Sequence, residues 1–429
     1  MATAATKLTE SELIRRRERL LGPAYRLFYD EPFHPVRGEG VWLYDAGGQP
    51  FLDVYNNVPC VGHCHPHVVD ALTRQAALLN THTRYLHETV LDYAEMLLAK
   101  FPSRIGHSMF TCTGSEANDL ALRMARTYTG GTGVIVTELA YHGGTIAIAE
   151  ISPSLGDKVP LGKHVRTVPA PDSYRSEEHL LGENFARGVA AAIDSLKADG
   201  IKPAALICDT IFASDGVFSH PPGFLRPAVE LIRSAGGLFI ADEVQAGFAR
   251  TGECFWGFQR HGVVPDIVTM GKPMGNGHPI AGAVVRPDIA APFGEASRYF
   301  NTFGGNPVSA AAGKAVLEVI ENEGLQENAR CTGDYMRDGI RKLAERHEII
   351  GDVRGSGLFT GVELVRDRAT KEPADKETAQ LVNEMRRRHV LISFSGPNNN
   401  CLKVRPPLVF SEDNANYFLQ VMDGALSAI

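Results

Sequence analysis

Long apolar runs are missing from this 429-residue chain. None approaches the roughly 20 residues that a bilayer span needs, so no membrane-spanning segment is expected. Blocks of positive charge are nearly missing too. The formal net charge is −7, and the one basic cluster is RRRER at 15–19. It lies in SELIRRRERLLG, where Ile14, Leu20 and Leu21 make a helical stripe. The cluster reads as the solvated face of a helix, and no nucleic-acid footprint is expected. Paired cysteines are missing as well. Cys60, Cys64, Cys112, Cys208, Cys254, Cys331 and Cys401 are scattered, odd in number and without a Cys-x-x-Cys. That excludes a disulfide framework and points to a reducing compartment. The opening MATAATKLTESELIRRRERLLG has no apolar core and carries acidic residues early. It reads as neither a secretory signal nor a transit peptide. The expectation is a soluble, cytoplasmic protein that binds neither membrane nor nucleic acid.

What is present is ordinary globular composition, 44% hydrophobic and 22% charged, in a chain too long for one comfortable core. GVWLYDAGGQPFLDV reads as a hairpin around Asp45–Gly48. Beyond about residue 71, strand-length apolar runs alternate with helical segments: GVIVTE (133–138), AALICD (204–209), LFIADE (238–243), DIVTMG (266–271) and AGAVV (281–285). Such strands are apolar on both faces, which implies a mostly parallel sheet covered by helices on both sides. DRATKEPADKET (367–378) reads as a charged surface excursion, and NANYFLQVMDGALSAI as a final amphipathic helix. The expected organisation is α/β. A large domain spans residues 66–317, and a smaller α+β domain is built from both chain ends, residues 1–65 and 318–429.

Four local patterns carry chemistry. TMGKPMGNGHPIAG (269–282) places Lys272 among glycines at the end of an apolar run, a setting suited to a lysine whose reach and pKa matter. TCTGSEANDLALRMARTYTGG reads as a strand, a tight turn at Gly114–Ser115 and a helix. That is either an anion cradle for phosphate or a plain capped turn. In LAYHGG, Tyr141 and His142 follow a strand, where a ring either stacks on a flat ligand or packs into the core. Asp242 ends a very apolar strand in LFIADEVQ, so its carboxylate must cap the next segment or meet a buried cation. One ligand uses all four groups: a phosphorylated aromatic heterocycle bearing an aldehyde. Its phosphate would sit on the helix N-terminus, its ring against Tyr141 or His142, its protonated nitrogen on Asp242 and its aldehyde on Lys272. This is pyridoxal 5'-phosphate.

With these motifs in hand, the chain resembles the class III aminotransferase family of pyridoxal-phosphate enzymes, fold type I. The resemblance runs from LYDAGGQPFLDVYNNV to LKVRPPLVF and includes GSEAND, YHG, ADEVQAGFARTG, GKPMGNGHP and NTFGGNPVSAAAG in family order. It implies that Gly114 and Ser115 bind the cofactor phosphate, that Tyr141 stacks on the ring and that Asp242 pairs with the ring nitrogen. It further implies that Gln245 faces the ring hydroxyl and that Lys272 bonds the aldehyde. Thr302 is implied to reach the cofactor phosphate of a neighbouring subunit, hence a homodimer with shared active sites. The clustered His63, Cys64, His65 and His67 are not expected to bind metal. Their spacing is too tight for a tetrahedral site, and similar turns occur in the family without one.

YNNVPCVGHCHPHVV, NTHTRYLHETVLDYAE, ISPS and GKPMGNGHP are similar to the subgroup that eliminates phosphate from phosphorylated amines such as ethanolamine phosphate or phosphohydroxylysine. Lys403 stands where class III transaminases often carry arginine, with Arg405 two residues on. A lysine point charge suits phosphate better than bidentate carboxylate clamping. Lys403, Arg405 and Arg84 are therefore candidates for the substrate phosphate, each with a structural ion pair as the alternative. Asp209–Thr210 replaces the Glu-Pro common in the family, which leaves any role borrowed from that glutamate open. The alternatives to a phospho-lyase are an ω-aminotransferase and a non-catalytic cofactor-binding protein. The intact lysine, aspartate and phosphate turn argue against the last.

Overall fold

The computed structural model describes residues 9–429. The first eight, part of the stretch read as lacking a targeting signal, lie outside the described residues. In spatial order the central sheet is His107–Thr111, Ala281–Val285, Ile267–Met270, Leu238–Asp242, Pro203–Asp209, Gly133–Thr137 and Val165–Val168. Ala281–Val285 runs antiparallel to both its neighbours and the other six strands run parallel. Six of the seven are the strands read from the sequence. The seventh, Val165–Val168, escapes that reading because it is an edge strand with a half-polar pattern, VRTV, rather than a run apolar on both faces.

The two faces of the sheet are covered by different helices. Ile240 packs with Leu120, Ala121 and Met124 of the helix Gly114–Thr129. Its neighbours Phe239 and Ala241 belong to the opposite core, with Val189 of Leu181–Ala198 and Ile232 of Arg226–Ser234. This is the period-two alternation of a strand buried on both sides. The helix Gly114–Thr129 starts where it does because Thr113 and Glu116 form a reciprocal capping box, and it stops at the left-handed Gly130. Gly114 and Ser115, expected as a turn ahead of the helix, are thus its first two residues.

Both chain ends meet in smaller sheets. Trp42–Asp45 and Pro50–Asp53 form the expected hairpin, and Val390–Leu391 joins it in parallel with Val390 opposite Leu52. Ile350–Ser356, Phe359–Asp367, Cys401–Val404 and Ser393–Ser395 make a further antiparallel sheet. The boundary expected between 317 and 318 falls inside the continuous helix Pro307–Asn322. The stretch 367–378 is also more regular than expected. It holds a strand end, the short strand Glu372–Pro373 and the start of the helix Asp375–Arg387. Arg366 draws Glu372, Asp375 and Glu377 together there. No helix among the described residues is long and apolar enough to cross a membrane.

Candidate active site

Parallel strands share one carboxyl edge, and the chain leaves the sheet there five times. Those exits bring Cys112–Ser115, Tyr141–Gly143, Asp209, Asp242–Gln245 and Gly271–Lys272 around a cavity of about 280 Å³. The antiparallel strand Ala281–Val285 enters at the same edge, so His278–Ile280 close another wall. Gly114, Ser115, Tyr141, His142, Asp242, Gln245 and Lys272 all line this one space.

The phosphate end fits its proposed ligand. In a helix the first N–H groups have no intrahelical partner. Here Thr113 Oγ1 accepts from Glu116 N at 3.2 Å, which leaves the N–H groups of Gly114 and Ser115 at the cavity. The backbone is pared down around them. A Cβ on Gly143, whose φ is +139°, would lie 2.3 Å from Ser115 Oγ, and one on Gly114 would lie 3.0 Å from Val244. Gly271 is close-packed as well, since its Cβ would sit 3.3 Å from Gly114 N. The glycine before Lys272 therefore lets the lysine strand pack against the phosphate cradle.

The far wall holds Asp242, which is buried. Its Oδ2 accepts from Asn118 Nδ2 at 3.0 Å and meets His142 Nδ1 at 2.7 Å, and its Oδ1 accepts from Val244 N at 3.1 Å. Asn118 is fixed in turn by Thr269 Oγ1 at 2.6 Å and by the carbonyl of His142 at 2.8 Å. His142 is buried and committed to Asp242, whereas Tyr141 is half-exposed at the mouth. Of the two rings considered for stacking, the open one is Tyr141. Asn118 was not singled out from the sequence, although it is the fifth residue of GSEAND and so points inward one turn after Gly114.

Lys272 is half-buried, and desolvation followed by the nearby Arg405 pushes its pKa below the usual lysine range. Lys403 is buried on the strand Cys401–Val404, and burial with Arg405 brings its pKa down to about 7. Arg405 lies just past that strand. Its backbone N donates to Val54 O at 2.9 Å, and its guanidinium bonds Gln245 Oε1, so it bridges the chain ends to the cofactor cavity. Asp209, opposite Asp242 across the sheet, also faces the cavity. Burial and then Asp242 raise its pKa, although Ile211 N and Ala213 N both donate to it.

Other sequence candidates fall elsewhere. Arg84 is exposed, with its guanidinium 3.8 Å from the ring centroid of Phe300, and does not line the cavity. Thr302 is exposed and also outside it. His63 pairs with Asp53 of Pro50–Asp53 at 2.7 Å, while His65 and His67 pair with Glu323 and Glu318, at the end of and within the helix Pro307–Asn322, at 3.0 and 2.6 Å.

A mostly parallel sheet with a half-buried lysine, a buried aspartate and a glycine-rich helix N-terminus at its carboxyl edge is the arrangement of a fold type I pyridoxal-phosphate enzyme. The family described as aminotransferase class-III matches residues 29–426, and the chain belongs to it. Its cofactor is accordingly pyridoxal 5'-phosphate. Among relatives, an alanine–glyoxylate aminotransferase 2-like protein of Drosophila melanogaster is 41% identical over 99% of this chain and 89% of its own. An ethanolamine-phosphate phospho-lyase homologue of Caenorhabditis elegans is 37% identical over 99% and 96%. A solved phospholyase from Arthrobacter in complex with phosphoethanolamine is 45% identical, covers 97% of this chain and 100% of its own, and superimposes with a TM-score of 0.94.

Proposed function

We propose that the protein is a phospho-lyase that eliminates phosphate from a small phosphorylated primary amine such as ethanolamine phosphate, giving ammonia, an aldehyde and inorganic phosphate. One observation carries this reading. Lys272 is half-buried and lines the cavity, Lys403 and Arg405 are buried just behind its lining, and among the described residues none of the three makes an ion pair with a carboxylate. Buried charge without a counter-charge is costly, and a substrate dianion would supply one. The likeness to a phospholyase that binds phosphoethanolamine supports the same substrate class.

When bound, pyridoxal phosphate supplies an aldehyde for the substrate amine and a ring that accepts an electron pair. Gly114 and Ser115 would hold its phosphate, Tyr141 would cover its face, Gln245 would meet its hydroxyl and Asp242 would pair with its ring nitrogen. Asn118 and His142 keep the Asp242 carboxylate aimed. Lys272 Nζ, its pKa lowered, takes the proton from the carbon bearing nitrogen. The carbon–oxygen bond on the next carbon then breaks, phosphate leaves with the electron pair, and water hydrolyses the unsaturated amine to ammonia and aldehyde. Lys403 and Arg405 offset the charge of the leaving group. Arg84, outside the cavity of its own chain, contributes only in an assembly.

The same reading includes a homodimer. His82, Arg84, Tyr85 and Phe300 cluster, with His82 4.8 Å from Tyr85 and 5.8 Å from Phe300 between ring centroids, and the neighbouring Leu86 and Phe303 are 98% and 69% exposed. Exposed apolar side chains of this kind suit a partner surface, and Thr302, next to Phe303 in the chain, would reach a second copy's cofactor phosphate from there. A cytoplasmic location goes with the seven free cysteines.

The second reading is transamination, favoured by the aminotransferase names among relatives at 41% identity. Incubating purified holoenzyme with ethanolamine phosphate and no keto acid separates the two. The expected result is stoichiometric release of inorganic phosphate and acetaldehyde. Alanine formation from pyruvate, with no phosphate released from any phosphorylated amine tried, would replace the lyase by an aminotransferase.

A further inference from the structure

Asn57 took no role in the sequence reading, although it lies within the quoted YNNV. It is 3% exposed, and its Oδ1 accepts from Arg405 Nη1 at 3.3 Å. That contact fixes which way the amide faces and leaves Nδ2 as a buried donor with no partner among the described residues. Arg405, 7% exposed, is held on three sides. Its Nη1 is shared between Asn57 and Gln245, and the ring of Tyr55 lies 4.8 Å from the guanidinium carbon. Its Nε likewise has no partner among the described residues. Two touching side chains thus present two unsatisfied buried donors just behind the lining of the cavity that holds Lys272, where Val58, next to Asn57, and Gln245, bonded to Arg405, line it.

The surrounding charges fix the sign of what these donors want. The acids that face Arg405 are Asp53 and Asp209. Asp53 accepts from Tyr55 N and Asn56 N and pairs with His63. Asp209 accepts from Ile211 N and Ala213 N. Both are engaged elsewhere, while the cations Arg250, Lys403 and Lys272 stand on the other sides of Arg405 or the cavity. Buried donors in a positive field call for an oxyanion acceptor.

We infer that Asn57 Nδ2 and Arg405 Nε form a seat for a tetrahedral oxyanion, and that Asn57 is a specificity-determining residue for the substrate phosphate. The inference rests on the phosphorylated-amine reading and deepens it. Asn57 supplies a neutral donor at a fixed angle to the guanidinium, so two oxygens of one phosphate can be met at once. A planar carboxylate, with both oxygens in one plane, fits the pair less well. Lys403 then acts as a point charge behind the seat rather than as a hydrogen-bonding contact.

The test uses 2-aminoethylphosphonate, whose phosphorus–carbon bond offers no leaving oxygen, as a binding probe for the holoenzyme. Affinity is read by calorimetry and by the change in cofactor absorption. Wild type should bind it at least about tenfold more tightly than 3-aminopropanoate, the carboxylate counterpart. Asn57→Ala should weaken phosphonate binding about tenfold and propylamine binding less than about twofold. Asn57→Asp keeps the shape and the acceptor toward Arg405 but replaces the donor with a negative charge, and should weaken it about a hundredfold. Wild type binding carboxylate as tightly as phosphonate overturns the seat, whatever the variants do. So does an unchanged phosphonate affinity in Asn57→Ala and Asn57→Asp, which would leave these donors to solvent. A phosphonate preference that depends on Asn57, in an enzyme that releases no phosphate from phosphorylated amines, would keep the seat and sink the lyase reading. Phosphate release that does not depend on Asn57 would do the reverse.

Discussion

The two walls of the cavity are built on opposite rules. On the cofactor wall, the reactive groups are held by other protein groups. Asp242 receives hydrogen bonds from Asn118 and Val244 and meets His142, and the phosphate cradle is shaped by Thr113, Ser115 and Gly143. On the substrate wall, just behind the lining residues, Lys403 and Arg405 are buried with no ion pair among the described residues, and Asn57 and Arg405 keep donors that no described residue uses. The first wall is complete before anything reacts, which suits a cofactor that stays. The second is left short of negative charge, which suits a ligand that arrives and leaves.

The same contrast explains what the sequence could reveal. Each piece of the cofactor wall is local. Gly114 and Ser115 follow a strand and open a helix, Asp242 ends an apolar strand, and Lys272 stands next to a glycine that must pack on Gly114. Those patterns are legible because a few neighbouring residues satisfy them. Helix caps and double-faced strands are legible for the same reason, and the edge strand Val165–Val168 is not. The substrate wall is assembled from afar, with Asn57 touching Arg405 across 348 positions and Arg405 touching Gln245 across 160. No local pattern marks such contacts, so Asn57 was passed over and Arg84, placed on charge alone, lies outside the cavity. Asp209 was visible only as a departure from a family habit, and its position in the cavity wall gives that departure a physical setting.

Breaking the cofactor wall should have the larger consequences. If Lys272 is both the covalent anchor and the base, Lys272→Ala is expected to cost about four orders of magnitude or more in kcat. The phosphate cradle is untouched, so the cofactor should still bind non-covalently. Borohydride reduction of wild type should label Lys272, and a label on any other lysine would reject the assignment. Asp242→Asn is expected to cost at least about two orders of magnitude in kcat, about 3 kcal/mol, since the ring nitrogen loses its charged partner. A near-wild-type rate would mean that the ring nitrogen lies elsewhere.

A smaller effect concerns the patch around Phe300. If Thr302 completes a neighbour's cradle, cofactor binding and association are linked, and pyridoxal phosphate should shift the dimerisation equilibrium toward dimer. Thr302→Ala should weaken cofactor affinity about tenfold, on the scale of one hydrogen bond to a charged group. Sedimentation across a dilution series, with and without cofactor, measures the linkage. A fully active monomer would dissolve it.

The smallest effect tests whether the buried acids behind the cofactor wall are as settled as their hydrogen bonds imply. Asp215 is buried, with Thr137 Oγ1 donating to Oδ2 at 2.9 Å and Leu139 N donating to Oδ1 at 3.3 Å. Burial nevertheless raises its pKa to about 7, and Thr137 only partly opposes the rise. In the unfolded chain an aspartate titrates near pH ~4. Below that pH both states are protonated, and the stabilising contribution of the raised pKa is fully present. As pH rises toward 7 the unfolded chain gives up its proton while the folded protein keeps it. The contribution therefore shrinks by up to about 1.4 kcal/mol per pH unit and is lost above the folded pKa. An amide at this position cannot titrate, so the Asp215→Asn variant should gain on wild type steadily between pH 5 and 7, and the gap should level off by pH 8. Melting curves of both holoenzymes across that range measure this gap. A gap that stays constant with pH would mean that Asp215 is already ionised at pH 5, and that its two donors outweigh its burial.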